Sequence, residues 1–214
     1  MNKKIVLRII EKLQETYPDA KCSLIYNTPF ELVVSVMLSA QCTDKRVNEV
    51  TKILFKRYNN PEKISEIPLQ DLESIIKPCG FYKVKAKHIK GTAEVLKEQY
   101  KSQVPRTMEE LTKLPGVGRK SANVILSEAF DTPVGIAVDT HVKRVSIRIG
   151  LSKQKDPNKI EEDLKKVIPK MYYKQLNHLL IEHGRNCCKA QNPKCVQCIL
   201  KNDCDFILEQ KWHD

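Results

Sequence analysis

Helix-opening signals recur along this sequence while strand signals hardly occur, and that asymmetry constrains the fold more than any other feature. Thr28-Pro29-Phe30-Glu31 places a capping threonine, a first-turn proline and a third-position glutamate ahead of the apolar run Leu32 to Ala40. Thr43-Asp44 opens another helix directly after that run, and Thr107-x-x-Glu110 is a second capping box, leading into a short helix that should end at Leu114. Pro61, Pro68, Pro78, Pro105 and Pro115 punctuate segments of helical length, because proline lacks the N–H that a helix interior uses. Only Pro133 to Val138 (PVGIAV) has the composition of a strand, and it is short. No internal repeat or low-complexity linker intervenes. These residues predict an all-α protein with short loops.

The 214 residues accommodate either one large domain or two lobes of about 100 residues each. Leu32 to Ala40 is the longest apolar stretch; it falls well short of the roughly 20 residues that span a bilayer and reads as a buried helix. Arg8, Glu11 and Lys12 interrupt any apolar signal core near the N-terminus. A cytoplasmic protein with no membrane partner is expected.

Charge bears on partners. The chain carries 37 basic and 26 acidic residues, a net charge of +11, which makes nucleic acid the leading candidate. The bias sharpens between Lys77 and Arg106, where eight basic residues (Lys77, Lys83, Lys85, Lys87, Lys90, Lys97, Lys101, Arg106) face only Glu94 and Glu98. Charge alone fits a solvated lysine-rich face equally well.

The stretch Leu111 to Phe130 (LTKLPGVGRKSANVILSEAF) is more specific. Pro115-Gly116-Val117-Gly118 makes a turn, and Ala122, Ile125, Leu126 and Ala129 recur as the buried stripe of a following helix. Glycines at 116 and 118 can take positive φ and let backbone amides approach a phosphate, to which the helix N-terminus adds unpaired N–H groups and its dipole. An ordinary helix-turn-helix corner would share the glycines. Arg119 and Lys120, however, place two cations at the wrong end of the macrodipole, at about 0.3 to 1 kcal/mol each, a placement that suggests function.

Five of the eight cysteines crowd the C-terminus. Cys188-x6-Cys195-x2-Cys198-x5-Cys204 sets four thiols within 17 residues, with Cys187 alongside. Crowding of this kind suggests a metal rather than disulfides, and the spacing alone leaves zinc and iron-sulfur both open.

Taken together, LPGVGRKSANVIL, AVDTHVKRV at Ala137 to Val145 and LSAQCTD at Leu38 to Asp44 resemble the endonuclease III branch of the helix-hairpin-helix DNA glycosylases, and the likeness spans essentially the whole chain. The resemblance implies a two-lobed fold: residues 22–133 as a six-helix domain carrying the hairpin, with 1–21 and 134–214 as a second helical domain. It implies a 4Fe-4S cluster held by Cys188, Cys195, Cys198 and Cys204, with Cys187 a non-ligand, pinning a basic loop with Lys189, Lys194 and Lys201. The implied partner is double-stranded DNA containing damaged bases or abasic sites, bound by a monomer, in the cytoplasm near the nucleoid.

It also implies roles. The lysine after the hairpin is the family's nucleophile, which is Lys120 here; only an amine can form the imine that permits strand cleavage. The aspartate of VDTH, Asp139, is its essential carboxylate partner, although Asp139 alone reads equally as an N-cap. The glutamine of LSAQ, Gln41, would fill the hole left by an extruded nucleotide. Phe81 would wedge into the stack, where the family often has another apolar residue; folding back into the core is the other reading. Gly116, Gly118 and Arg119 would hold DNA phosphate, and His141 is a weaker phosphate candidate. Adenine glycosylases that resemble the chain lack the hairpin lysine and carry a large C-terminal domain, whereas ten residues follow Cys204 here. Lys120 likewise argues against a monofunctional mismatch glycosylase, and Lys120 with Asp139 against a non-catalytic DNA-binding module. The class of damaged base expected is the oxidised pyrimidine.

Overall fold

A computed structural model describes residues 2–210; Met1 and residues 211–214, which the resemblance assigns to the second domain, lie outside the described residues. Every regular element among the described residues is helical, and none is a strand. Pro133 to Val138 forms no strand and bends at Gly135. Ile136, Ala137 and Val138 are buried, and Asn177 Nδ2 supplies the Ala137 carbonyl with a hydrogen bond at 2.6 Å. An apolar composition without a neighbouring strand gives burial but no ladder.

The chain divides into two compact units, Ser23–Thr132 and Met1–Cys22 with Pro133–Asp214. It begins in the discontinuous unit with α1 (Lys3–Thr16). The continuous unit then contains α2 (Pro29–Ser39), α3 (Asp44–Leu54), α4 (Pro61–Glu66), α5 (Leu69–Ile76), α6 (Tyr82–Gln99), α7 (Met108–Leu111) and α8 (Arg119–Phe130). The chain returns with α9 (Thr140–Arg148), α10 (Pro157–Val167), α11 (Tyr173–Asn186) and α12 (Asp205–Gln210). The continuous unit thus has six helices besides the single turn of α7.

Side chains that open helices do so by visible bonds. Thr28 Oγ1 accepts from the Glu31 N–H at 3.2 Å while the Glu31 carboxylate accepts from the Asn27 N–H at 2.6 Å, so the start of α2 is tied down from both sides of its cap. Thr43 and Thr107 cap α3 and α7 in the same way. α7 ends at Leu111 rather than Leu114: the Thr112 hydroxyl bonds back to the Met108 carbonyl at 2.9 Å, and Leu114 precedes a proline, which disfavours helical backbone.

In the continuous unit α2 is the core helix, with Phe30 to Leu38 all buried. It packs on α8 and α6, and the α8 stripe Ala122, Ile125 and Leu126 and the α6 residues Ile89 and Leu96 belong to the same core. Each such side chain contributes about 1.5 to 3 kcal/mol by leaving water. The other unit has its own core, in which Val6, Ile9, Ile10 and Leu13 of α1 share a cluster with Leu176, Leu179 and Leu180 of α11 and Val142 and Val145 of α9. No helix among the described residues is long and apolar enough to cross a membrane.

The basic stretch needs one correction. Lys85 and Lys90, which the sequence counts with the surface charge, turn inward: Lys90 Nζ donates to the Ser65 and Ile67 carbonyls at 2.6 and 2.8 Å, and Lys85 is buried against three more. Both lie on the α6 face that meets the core.

Candidate functional site

The hairpin is built against α6. The Pro115 carbonyl accepts from Thr92 Oγ1 at 2.8 Å, and Gly116 adopts φ +76°, where a Cβ would stand 2.8 Å from His88 Cβ and Nδ1. Gly116 therefore meets two demands that only glycine satisfies, left-handed backbone and close approach. Gly118 differs from expectation. Its φ is −88°, an ordinary extended value, and a Cβ there would meet nothing within 4 Å. Among the described residues nothing stands where a side chain at 118 would go, so the surface there is open.

Gly118 is the N-cap of α8, with no side-chain cap and no acidic residue in the first turn. The first turn instead carries Arg119 and Lys120, both exposed. That leaves a helix N-terminus and two cations together, a combination that attracts anions.

Two other tips in this unit share an unusual backbone. Gln41, just past α2, has φ 52°, and Phe81, just before α6, has φ 46°; both are left-handed, rare for residues with side chains. Both are exposed, Phe81 to 68%, which rules out the reading of Phe81 as a core aromatic. They border one shallow groove with Met37, Ala40, Val84 and Gly116. Gln41, Phe81 and the hairpin are thus brought to one surface of the unit.

Asp139 belongs to the other unit and is the N-cap of α9, its Oδ1 accepting from the Val142 N–H at 2.7 Å. His141 is half-buried, and its Nδ1 lies 3.1 Å from Arg144 Nη2. A guanidinium can only donate, so Nδ1 is the acceptor in this contact. Arg144 also donates to the Gly184 and Cys188 carbonyls at 2.8 and 2.9 Å.

The four spaced cysteines line a single pocket with Cys187, His183 and Arg148. Cys188, Cys198 and Cys204 are buried and Cys195 is half-buried. Among the described residues the donor atoms of His183, Cys187 and Cys198 lie within 4.8 Å of one another, a grouping that holds only one of the four spaced cysteines. Burial pushes the Cys198 thiol up to about 12 and the Cys204 thiol up to about 11. Burial likewise pulls His183 down to about 4, so its ring is neutral near pH 7. A thiol must lose its proton to bind a metal, so metal binding at Cys198 and Cys204 works against this burial. Four cysteines converging on one largely buried pocket are a donor set that fits an iron-sulfur group.

Several supporting residues carry no signal in the cysteine spacing. Arg148 donates to the Lys189 and Ala190 carbonyls at 2.6 and 3.1 Å, and its guanidinium stacks 4.9 Å from the Phe206 ring. Asp203, beside Cys204, is buried and paired with Arg8 and Lys12 of α1. Arg144 and Arg148 stand four residues apart in VKRVSIR, on one helix face, which was the available clue.

Comparison with known proteins decides the family. Residues 34–170 match the model of the HhH-GPD superfamily base excision DNA repair protein, and residues 188–204 match the iron-sulfur binding domain of endonuclease III. Endonuclease III of Bacillus subtilis (strain 168) is 47% identical over 205 residues, 95% of this chain and 93% of that protein. The chain belongs to the endonuclease III family. Two solved endonuclease III structures, each 43% identical and covering 99% of both chains, superpose with a TM-score of 0.92. One is a non-covalent complex with DNA and the other a trapped covalent intermediate with DNA. A thermostable thymine-DNA glycosylase, 20% identical with a TM-score of 0.87, shares the fold. As an endonuclease III family member, the chain is a base excision DNA repair protein with an iron-sulfur cluster in its C-terminal segment.

Proposed function

We propose that the chain removes oxidised pyrimidines from double-stranded DNA and then cleaves the strand at the abasic site, with Lys120 as nucleophile and Asp139 as the essential carboxylate. The observation that carries this reading is the start of α8: an uncapped helix N-terminus, an open glycine, and an exposed lysine one residue beyond Arg119. A phosphate bound by the hairpin sets the sugar's position, and Lys120 Nζ, as the free amine, attacks C1′. The glycosidic C–N bond breaks, its electron pair leaves with the base, and the base takes up a proton. Ring opening converts the amine adduct to an imine; loss of a C2′ proton then expels the 3′ phosphate, and water hydrolyses the imine to free Lys120. Asp139 spends Oδ1 on its cap, which holds the carboxylate rigidly and leaves Oδ2 to offset positive charge on the sugar.

Gln41 and Phe81 enter the duplex where the nucleotide leaves, and Gly116, Gly118, Arg119 and His141 hold backbone phosphate. Cys188, Cys195, Cys198 and Cys204 ligate the cluster; the matched iron-sulfur segment begins at residue 188 and ends at 204, which leaves Cys187 outside it. The cluster ties the C-terminal loop together and supplies no step of the reaction. The protein acts as a monomer on DNA in the cytoplasm. Incubation with duplexes that each carry one lesion tests the substrate class: incision at oxidised pyrimidines and at abasic sites is expected, and incision confined to mismatched thymine or uracil would favour the monofunctional reading.

A further inference from the structure

Lys85 is 6% exposed, although a lysine ammonium in that setting gives up its water. Its Nζ donates to the Leu38 carbonyl at 2.8 Å, the Ala40 carbonyl at 2.7 Å and the Cys79 carbonyl at 2.8 Å. Three donors meet three acceptors, and among the described residues no carboxylate joins them. Leu38 and Ala40 end α2, and Cys79 ends the 3-10 turn Lys77–Cys79. Carbonyls at helix ends carry the negative end of the dipole, so one buried cation completes the ends of two segments at once.

The residues next in the chain give the arrangement its meaning. Ala40 is followed by Gln41 at φ 52°; Cys79 is followed by Gly80 at φ 66° and Phe81 at φ 46°. Residues with side chains hold left-handed backbone only where the surroundings fix it. Phe81 itself is the N-cap of α6, its carbonyl accepting the helix's first i to i−4 bond from the Lys85 N–H at 3.1 Å, so the tip is continuous with the helix that carries the lysine. We infer that Lys85 is a positioning residue that joins the Gln41 and Phe81 tips into one rigid element, holding both in the backbone they need to enter the duplex together. This rests on the reading of Gln41 and Phe81 as the residues that enter it. Pre-set tips spend no binding energy on ordering when the nucleotide is expelled.

Base removal is compared on one oxidised pyrimidine in two settings, fully paired and in an unpaired bubble, where no base pair is opened. Lys85→Met keeps the aliphatic stem and removes the donors. The ratio of paired to bubble rate should fall about tenfold, because only the paired substrate needs the tips. In a Gln41→Ala, Phe81→Ala background the further change Lys85→Met should leave the ratio where it is, since the clamp acts only through those side chains. If Lys85→Met melts below the assay temperature, Lys85→Gln, with a shorter stem but N–H donors, replaces it and the same ratio decides. An unchanged ratio, an equal fall on both substrates, or an additive loss in the double-alanine background overturns the inference. If the two alanines themselves leave the ratio unchanged, the reading of the tips fails first and takes the inference with it.

Discussion

The two hairpin glycines should separate folding from DNA binding when each is replaced by alanine. At Gly116 the backbone sits at φ +76° and the new Cβ would stand 2.8 Å from His88 Cβ. A left-handed non-glycine residue costs about 1 to 2 kcal/mol. The overlap adds about 1 to 3 kcal/mol, because His88 Cβ is fixed to the α6 backbone and rotating the ring does not move it. Gly116→Ala should therefore lose about 2 to 5 kcal/mol. Gly118 has φ −88° and open space at its Cβ position. Alanine there loses about 0.5 to 1 kcal/mol as a poorer N-cap and regains about 0.4 to 1 kcal/mol by restricting the unfolded chain, so stability should stay within about 0.5 kcal/mol. Urea denaturation gives the first quantity. Affinity for a duplex with a stable abasic analogue gives the second, and Gly118→Ala should weaken it about tenfold, or ~1.4 kcal/mol, by lifting a phosphate off the α8 amides. If Gly118→Ala binds like wild type, or if the two variants destabilise equally, the division of roles is wrong.

Asp139→Asn should fold normally, since asparagine caps as well as aspartate, yet lower base removal by roughly 100-fold or more because it cannot offset positive charge; single-turnover excision measures this, and retained activity would reduce Asp139 to a cap. Protein purified without oxygen should contain about four irons per chain, and stoichiometric zinc without iron would refute the cluster. Removing the iron should raise amide exchange around Cys188 to Ile207 while α2 and α8 stay protected, because the two units have separate cores. Loss of protection in both at once would contradict that separation.

Much of this is legible in the sequence because it is local. Thr28, Thr43 and Thr107 cap helices through neighbours one turn away, and the Gly116 turn and the cysteine spacing are likewise short-range patterns. The features that escape depend on contacts across the fold. Lys85 reads as one more surface cation, although Lys85, Ile89, Thr92 and Leu96 share the buried face of α6, and a lysine on that stripe is the hint. Asp203 pairs with α1 nearly two hundred residues away, and no local pattern reports such a partner. Glycine at 118 suggests positive φ because glycine permits it, whereas the backbone there is ordinary and only the space beside it is special. The division at Thr132 and Pro133 arises from two cores closing separately, which helix periodicity does not encode; only the family resemblance implies two domains.

The most direct test of the chemistry is covalent capture at Lys120. An imine is transient, but borohydride reduces it to a stable amine, so wild-type protein incubated with a labelled abasic duplex and borohydride should migrate as a retarded protein–DNA band. Lys120→Gln keeps much of the length and hydrogen-bonding capacity without the nucleophile, and should bind the same duplex while giving no trapped band and little strand cleavage. Trapping by Lys120→Gln at the wild-type level would assign the imine to another amine. Wild-type protein that neither traps nor cleaves would contradict the lyase altogether.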